Sequence, residues 1–451
     1  MGFDLHDKQR MLTALPHARI ASRPARKPCT SARRPCASRT VAALRLTFVM
    51  AIVAVSATAD ADEPIALPSP LRVADVVRLA KERRDEVIAA HARAGAAAQR
   101  PEIMSALDDP QVFPSVDHAP FRGGGADVSF TIEQSFPLSH IRGHRRHAAE
   151  ADARRELAEA DRVGLDVKLD AAAAFWMLAE TRATAAVIAE QHGLADQMVA
   201  AALARYATST AAQADVLRAQ LEVARLDGET RALVAETRAA EIMLNTSLAR
   251  AIDARIPELD ATLSDLAPDA GTTLAATATE RRPELRAGRA DVARAEAEVA
   301  VMDAMYTPMA MVRTGPAYTM QDGAGWMLMV GISIPLWRGK LRAGVAEARA
   351  MVDMSRADLM ATRRQIGGDA AAARERVAAA RERFVTLRDI IIPHAKQAVT
   401  ATLAGYAGSQ LPLISVIEAS QMLWSAERDL VMARAELGLA WARLRRATGE
   451  E

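Results

Sequence analysis

ADVSFTIEQSFPLSHIRGHRRH, residues 126–147, and AGWMLMVGISIPLWRGKLRAGV, residues 324–345, are two versions of one pattern. Each begins with alternating apolar and small or polar residues, passes through Pro-Leu, and continues into a long stretch with helical periodicity. Because successive side chains of a strand point to opposite faces, each segment predicts a strand with one apolar face. Pro137 and Pro335 mark the change from strand to helix, since proline cannot donate to a sheet.

The predicted strands have an apolar face of the height that a bilayer requires. The residues on this face are Val128, Phe130, Ile132 and Phe136 in the first copy, and Trp326, Leu328, Val330, Ile332 and Ile334 in the second. The eleven steps from Trp326 to Trp337, at about 3.3 Å each and with a tilt of about 40°, rise about 28 Å. We therefore predict Phe136, Trp326 and Trp337 as aromatic anchors at the membrane interface. The alternative is a soluble sandwich strand with tryptophans at its edges.

Residues 1–62 are predicted to be a signal or targeting segment rather than part of the fold. They are rich in Arg and Pro and end in an apolar run, residues 44–59, followed by the sequence DADE. A basic lead, a short apolar core and a small-residue site are typical of a secretory signal, and a transmembrane helix needs roughly 20 apolar residues. We predict export, with cleavage near Ala59 or Ala61. Both cysteines precede the apolar run, so the exported chain is predicted to lack disulfides.

The chain contains an internal repeat at an offset of about 198 residues. Four pairs of segments correspond in the same order along the chain: 82–86 with 280–284, 135–138 with 333–336, 205–207 with 405–407, and 215–217 with 415–417. Ordered correspondences of this kind indicate a tandem duplication. We therefore predict a first repeat at residues 63–270 and a second repeat at residues 271–451, with the break in the segment 257–271.

Each repeat has the same predicted parts in the same order. They are a helix (71–99 and 273–305), a strand hairpin with a glycine-containing loop (118–125 and 319–325), a long helix (138–206 and 337–405), and a returning helix (213–250 and 413–447). At 1.5 Å per residue the long helices extend roughly 100 Å. Gly193 and Pro393 lie at equivalent places in the long helices, and they predict an interruption of each helix before its turn.

The composition favours long packed helices and gives no sign of an enzyme. Half of the residues are hydrophobic, only 4% are aromatic, and the formal net charge is +1. This balance gives no reason to expect nucleic acid as a partner. The sequence has no phosphate-binding glycine loop, no nucleophile elbow and no HExxH, so we expect neither catalysis nor a cofactor.

Beyond the leader, the sequence has no apolar run long enough for a transmembrane helix, so a membrane crossing would need strands in a closed barrel. Four strands per chain are too few to close a barrel. The predicted fold is therefore mainly α with a small β part. It is a tandem repeat that forms a long α-helical barrel and a membrane β-barrel, completed by trimerisation.

The chain resembles the TolC family of outer-membrane efflux proteins over residues 70–448. The matching sequences are the two RxPEL-like helix starts, PLSHIRG, PLWRGK, IIPHAKQA before GYAG, and the turns ending in ADVLRAQ and ISVIEAS. DDPQ at 108–111 and QSFPL at 134–138 resemble most the branch that serves heavy-metal pumps. The resemblance implies a homotrimeric exit duct in the cell outer membrane, with its helical barrel in the periplasm. It would dock through a periplasmic adaptor (membrane fusion) protein onto an inner-membrane pump, and export metal cations or small toxic molecules.

The resemblance also implies a polar network that closes the duct at the helical tips. In this sequence the tip tyrosine of the family matches Tyr406, the aspartate that faces it matches Asp215, and a ring carboxylate matches Glu418. Two positions depart from the pattern, since the arginine of the network is Leu411 and the other ring carboxylate is Ser415. The resemblance therefore implies a simpler and leakier gate. The alternative for Asp215 is an acid in the first turn of a helix that satisfies backbone donors.

Three histidines near the start of the first long helix share one helical face: His140, His144 and His147. Imidazoles at this spacing are typical of divalent-cation sites. Arg142, Arg145 and Arg146 lie among them, and cations avoid a basic turn. We therefore expect a solvated or lumen-facing basic ring rather than a metal site.

A second class of function also explains the helices and the export signal, namely a soluble periplasmic coiled-coil scaffold or adaptor. The duplicated hairpins distinguish the two classes. A soluble scaffold has no use for an apolar strand face that points outward, whereas a channel in the outer membrane requires one.

Overall fold

A computed structural model describes residues 67–118, 125–263 and 281–449. The predicted leader and its cleavage site lie outside the described residues. The described elements in chain order are β1 (Leu71–Arg72), α1 (Val73–Arg83), α2 (Asp85–Ala97), α3 (Arg100–Ser105), β2 (Gln111–His118), β3 (Asp127–Pro137), α4 (Ile141–Ala207), α5 (Gln213–Ser247), β4 (Leu259–Asp260), α6 (Pro283–Ala304), β5 (Met309–Thr319), β6 (Gly323–Ser333), α7 (Arg338–Thr386), α8 (Ile392–Ala407) and α9 (Leu413–Thr448). The fold is mostly helical with a small sheet, as predicted.

Two hairpins, one from each repeat, form a single antiparallel sheet with the strand order β2-β3-β5-β6. The two hairpins are joined by pairing of β3 with β5, in which Val128 lies opposite Tyr318 and Pro137 opposite Met309. Both predicted strands are confirmed. The two prolines mark the ends of the strands as predicted, since Pro137 is the last residue of β3 and Pro335 follows the end of β6.

The second hairpin is tighter than the predicted loop 319–325. Thr319 pairs with Gly323, so only three residues form the turn. Gly323 has a φ of +79°, the left-handed conformation that ends a three-residue hairpin loop and that glycine adopts at no steric cost. Most of the corresponding first loop lies outside the described residues.

The long helices form as predicted. The first, α4, runs without a break for 67 residues, a length of roughly 100 Å. The second is interrupted by a π-helical turn, Leu387–Ile391, because Pro393 in the first turn of α8 lacks the N–H that a continuous helix needs. The predicted interruption at Gly193 is wrong. Glycine keeps its N–H, so the hydrogen bonds of α4 continue through it.

The predicted helix 71–99 is instead two helices separated at Arg84. This residue is extended, with φ −66° and ψ 131°. Its counterpart in the second repeat, Arg282, has nearly the same angles and precedes Pro283, which disfavours a helical conformation in the residue before it. The first repeat has the same break without the proline, so the sequence pattern alone did not reveal it.

The core runs along the helices rather than filling a central volume. The long helix α4 packs along α5, α6 and α9, and one buried cluster around Phe175 and Leu178 joins it to α1 and α5. Many of the buried positions are alanines, which let helix axes approach closely. The approach is closest at Gly438 on α9, where a Cβ would overlap the indole of Trp176. None of the helices in the described ranges carries an apolar stretch of the length that a bilayer crossing requires.

Candidate functional site

One face of the sheet is apolar and open to solvent in the single chain. The exposed fraction of its residues ranges from 39% for Phe136 to 71% for Trp326 and Val330. The set is the predicted one, although Ile334 lies one residue beyond the end of β6: Val128, Phe130, Ile132, Phe136, Trp326, Leu328, Val330, Ile332 and Ile334. Large contiguous apolar surfaces mark contacts with lipid or with another protein.

The three predicted anchors lie toward the two ends of this face. Trp326 is close to the β5–β6 turn, and its Nε1 donates to the Thr314 hydroxyl at 2.7 Å, which holds the indole along the sheet. Phe136 lies at the helical end of β3. Trp337 lies beyond β6, immediately before α7, and is 81% exposed. The strand ends at Ser333, so the eleven steps from Trp326 to Trp337 are not all strand, and the role of Trp337 as an anchor stays a prediction.

The opposite face of the sheet carries polar and charged groups. Glu133 and Arg313 are cross-strand partners, and both Nε and Nη2 of Arg313 donate to Glu133 Oε2, at 2.8 and 2.5 Å. The same guanidinium lies 4.6 Å from the centroid of the Phe113 ring. Thr131 on this face is almost completely buried. The sheet thus has one wall suited to an apolar medium and one suited to water.

The two helix–turn–helix tips, which join α4 to α5 and α8 to α9, have the same backbone at an offset of 200 residues. Ser209 and Ser409 both have a φ of 56°. The N–H of Ser209 donates to the carbonyl of Tyr206 at 2.9 Å, and the N–H of Ser409 donates to the carbonyl of Tyr406 at 3.0 Å. This likeness is what a tandem duplication produces.

The tips differ at Arg205, the last basic residue of α4. Its guanidinium crosses to the second tip, where Nη1 donates to the carbonyl of Tyr406 and Nη2 donates to the hydroxyl of Ser409 at 3.1 Å. Its Cζ lies 4.4 Å from the centroid of the Tyr406 ring, a cation–π contact. Nη2 also lies 3.4 Å from the carbonyl of Thr210 on its own tip. Arg205 therefore connects the two tips of one chain.

The predicted hydrogen bond between Tyr406 and Asp215 is not formed in the single chain. The Tyr406 side chain is buried among Val216, Leu413 and the cluster around them, and its hydroxyl has no hydrogen-bond partner among the described residues. Burial raises the pKa of Tyr406, the charge of Arg205 opposes this, and the charge of Asp215 adds to it. Asp215 lies in the first turn of α5 with its carboxylate 3.5 Å from Arg218, which matches its alternative role at a helix N-terminus.

The other positions implied by the resemblance lie near the second tip. Glu418 is exposed on α9, and Ser415 is half-buried one turn earlier. Leu411 packs against Gly405, since a Cβ at Gly405 would lie 2.6 Å from Leu411 Cδ1. The part played by Glu418 in a gate stays a prediction.

The three histidines do not form a metal centre. His140 precedes α4, and His147 has its Nδ1 3.3 Å from the carboxylate of Glu150. Nowhere in the described ranges does a group of three or more His, Cys, Asp or Glu side chains have an arrangement that would hold a metal ion.

We expect Tyr406→Phe to leave the stability of the purified protein unchanged or to raise it by about 1 kcal/mol, because it removes a buried hydroxyl without a partner. Tyr206→Phe is the matched control, since Tyr206 is the exposed counterpart in the first tip. The denaturation midpoints of both variants, followed by circular dichroism, test this. A clear loss of stability for Tyr406→Phe alone would show that the hydroxyl is bonded after all.

Sequence reasoning missed Arg205 as a candidate. The signal was available in the repeat itself, because the position equivalent to Arg205 in the second tip is Gly405. A residue that breaks an internal symmetry, next to turns that otherwise keep it, is a candidate for a role specific to one copy.

Comparison with known proteins shows that this fold is similar to that of solved outer-membrane channels. Residues 274–450 match the family model described as outer membrane efflux protein. The outer-membrane channel OprN is 16% identical with a TM-score of 0.74, over 84% of this chain and 90% of that chain. VceC of Vibrio cholerae is 16% identical with a TM-score of 0.70, over 84% and 96%. CusC is 13% identical with a TM-score of 0.75, over 84% and 92%. At these identities the likeness shows the fold. No curated protein matches the sequence.

Proposed function

Because the chain carries an outer membrane efflux protein domain and has the fold of the TolC-family channels, we propose that it is the exit duct of a tripartite efflux or secretion system. Three copies would form a channel through the outer membrane, with the long helices in the periplasm. The channel would receive its cargo from an inner-membrane pump through a periplasmic adaptor (membrane fusion) protein.

The observation that carries the proposal is the exposed apolar face on a sheet of only four strands. An apolar face of this kind is stable against lipid, and edge strands such as β2 and β6 leave unpaired backbone groups that lipid cannot satisfy. Three chains would pair these edges into a closed barrel of twelve strands. A soluble scaffold or adaptor would gain nothing from the exposed apolar side chains, so this alternative is not favoured.

The helices support a duct that reaches away from the membrane. Only three residues separate the end of β3 at Pro137 from the start of α4 at Ile141. The far end of α4 is the first tip, so roughly 100 Å of helix separates the sheet from the tip. We place the β5–β6 turn outside the cell and the tips on the side of the pump.

The cargo class is proposed from sequence resemblance alone. DDPQ and QSFPL resemble the heavy-metal branch of the family, so metal cations are the first candidates and small toxic molecules the second. The cargo would pass the tips, where we propose that Asp215, Tyr406 and the exposed Glu418 contribute to closure. In this proposal a metal ion would be cargo in transit.

We expect the purified protein to be a trimer in detergent, and single cysteines to be accessible from opposite sides of the outer membrane. Gln321 in the β5–β6 turn and Gln410 in the second tip are both exposed, and both natural cysteines lie in the predicted leader. A membrane-impermeant maleimide applied to intact cells should label Gln321→Cys and leave Gln410→Cys unlabelled until the cells are opened.

Native mass spectrometry of the detergent-solubilised protein measures the oligomer. A folded monomer would contradict the barrel, because four strands would then satisfy their edges alone. Labelling of Gln410→Cys but not Gln321→Cys in intact cells would reverse the orientation and reject the proposed path.

A further inference from the structure

A cavity lies between α1, α4 and α9, apart from the sheet and from both helix–turn–helix tips. Its volume is about 340 Å³, which is within the range of cavities that bind small organic molecules. The residues of α4 that line it lie between positions 165 and 176. Along α4, roughly 35 Å of helix separates them from the sheet and roughly 45 Å from the first tip. The cavity is therefore distinct from the surfaces described above.

The cavity exists because small residues lie where the three helices face one another. These residues are Ala74 on α1, Ala172 on α4, and Gly438 and Ala442 on α9. Gly438 lets the indole of Trp176 lie directly against the backbone of α9, since a Cβ at this position would overlap the ring. Larger side chains at the other three positions would fill the space. The sequence therefore keeps this part of the helix packing open.

The inner wall of the cavity consists of aliphatic side chains and aromatic rings. Leu165, Ala172 and Trp176 are buried, and Leu169 and Trp441 are half-buried. Such a wall offers water few hydrogen-bond partners, so water gains little by occupying it. It suits a hydrocarbon chain, because the burial of each methylene group is favourable.

Positive charge surrounds this apolar wall. Five lining residues are cationic: Arg78, Lys81, Lys168, Arg445 and Arg446. Within the described part of the chain, no acidic side chain lines the cavity. Arg446 is already held by Asp166 and Glu284, at 2.6 and 2.8 Å, and Arg78 lies 3.6 Å from the carboxylates of two neighbours on α1. Arg445 is exposed in the last turn of α9, and its guanidinium has the geometry that binds a carboxylate through two hydrogen bonds.

We propose that this cavity binds a free fatty acid, with its hydrocarbon chain against the inner wall and its carboxylate at the mouth beside Arg445. A single-chain acid matches both features, whereas a phospholipid has two chains and a neutral lipid has no anionic group for the basic mouth. A ligand in this position contacts α1, α4 and α9 at once, so it stabilises the docking of α1 on the long helices. The inference rests on the cavity and not on the proposed function.

Photolabelling of the full-length protein in phosphatidylcholine nanodiscs, which are free of detergent, tests the site. The probe is dodecanoate with a diazirine at the end of its chain, and peptide mapping by mass spectrometry locates the label. We expect saturable labelling within residues 165–176 and 438–442, because the chain end lies against the inner wall. The uncharged methyl ester of the probe should need at least about tenfold higher concentration for half-saturation, since it loses a charged hydrogen bond.

Two variants locate the carboxylate and the chain. Arg445→Glu should raise the half-saturating concentration of the acid at least about tenfold. Arg443→Glu is the matched control and should leave it unchanged, since Arg443 is exposed on the same helix but does not line the cavity. Ala442→Trp should abolish the labelling, because the indole fills the cavity. Circular dichroism checks that each variant is folded, and the result for Arg445→Glu decides the proposal if Ala442→Trp does not fold.

Equal labelling by the acid and its ester would show adsorption of any hydrocarbon chain to an apolar surface, and would overturn the proposal. Equal losses in Arg445→Glu and Arg443→Glu would assign the binding to overall charge rather than to the mouth of the cavity, with the same consequence. Labelling only outside residues 165–176 and 438–442 would show that another part of the chain or a second copy covers the cavity, and would also reject it. None of these outcomes depends on whether the protein forms a channel.

Discussion

Replacing Arg282 with alanine is expected to destabilise the protein by about 3–5 kcal/mol per chain, whereas replacing its counterpart Arg84 should cost about 1 kcal/mol. Arg282 is 6% exposed and lies between the start of α6 and the end of α9. Its Nη1 donates to the carbonyls of Arg446 and Ala447 at 2.9 and 2.8 Å, and its other nitrogens donate to both oxygens of Glu284 at 2.8 Å. Alanine would remove this donor from the carbonyls of Arg446 and Ala447, whereas Glu284 would keep Arg446, whose Nη2 lies 2.8 Å from its Oε1.

The internal repeat provides the control. Arg84 makes the same fork onto Glu86, at 3.1 and 2.6 Å, and approaches Asp170 at 3.6 Å. In the described part of the chain the Arg84 side chain makes no hydrogen bond to a helix end, and it is more exposed than that of Arg282. The backbone angles match and the local sequences differ only at Asp85 and Pro283, so the difference in stability between the two variants mainly reports the contacts with the end of α9.

The stability difference between wild type and Arg282→Ala should depend on pH because of Glu284. Burial disfavours its ionisation, but hydrogen bonds from Arg282 and its own amide, with the charges of Arg282 and Arg446, hold its pKa below the usual range. When the pKa of a carboxyl group is lower in the folded state, its ionised form stabilises the fold. This stabilisation is fully present at a pH above the pKa of the unfolded state, and it is lost as the pH falls through the pKa of the folded state. The gap between wild type and Arg282→Ala should therefore narrow in acid, below about pH 4.5.

Denaturation midpoints in detergent, followed by circular dichroism from neutral to acid pH, measure these effects. Equal losses for Arg282→Ala and Arg84→Ala would show that the contacts with the end of α9 add no stability. If the stability difference between wild type and Arg282→Ala does not depend on pH, the lost stability comes from the carbonyls of Arg446 and Ala447 rather than from the ion pair with Glu284.

The elements with strong periodicity were predictable from the sequence. The strands were visible because alternation places Trp326, Leu328 and Val330 on one face, and no soluble core explains such a face on both hairpins. The long helices were visible because their ends carry turn sequences at a constant offset. The predictions that were wrong concern breaks within single helices. The break at Arg84 has no proline to mark it, and the effect of Gly193 depends on hydrogen bonds that glycine does not remove.

The contacts at the two tips were less predictable from the sequence, because they depend on which side chains pack against each side of the buried Tyr406 ring. A motif match placed Tyr406 and Asp215 in the correct elements. It did not show that packing with Leu413 and Val216 buries the hydroxyl away from any partner. The contact with Arg205 joins residues about 200 positions apart, and no spacing rule relates them. Comparison of the two copies marks Arg205 as the residue that differs, and the structure shows the contact that it makes.

Leu328→Arg is expected to prevent assembly in the outer membrane, while Met327→Arg on the adjacent position is tolerated. Leu328 is the central residue of the eleven-residue strand β6, and it is 68% exposed on the apolar face. An arginine at the middle of a lipid-facing strand costs about 2–4 kcal/mol. In a trimer the substitution occurs three times, so the total is on the order of 6–12 kcal/mol.

Met327 points to the other face of the same strand, opposite Gly315. A charge there would lie on the side of the sheet that already carries the ion pair of Glu133 with Arg313, and substitutions on that side change selectivity rather than insertion. Gly315 itself leaves little room, since a Cβ there would overlap the carbonyl of Phe130. The long arginine side chain must therefore extend along the sheet rather than toward β3.

The amount of trimer in isolated outer membranes, and the conductance of the purified trimers in planar bilayers, separate the two variants. We expect Leu328→Arg to reduce the trimer to a small fraction of wild type, and Met327→Arg to assemble and to shift ion preference toward anions. Normal assembly of Leu328→Arg would mean that this face does not contact lipid, and the membrane channel would lose its main support. Failure of Met327→Arg together with normal assembly of Leu328→Arg would reverse the two faces of the sheet.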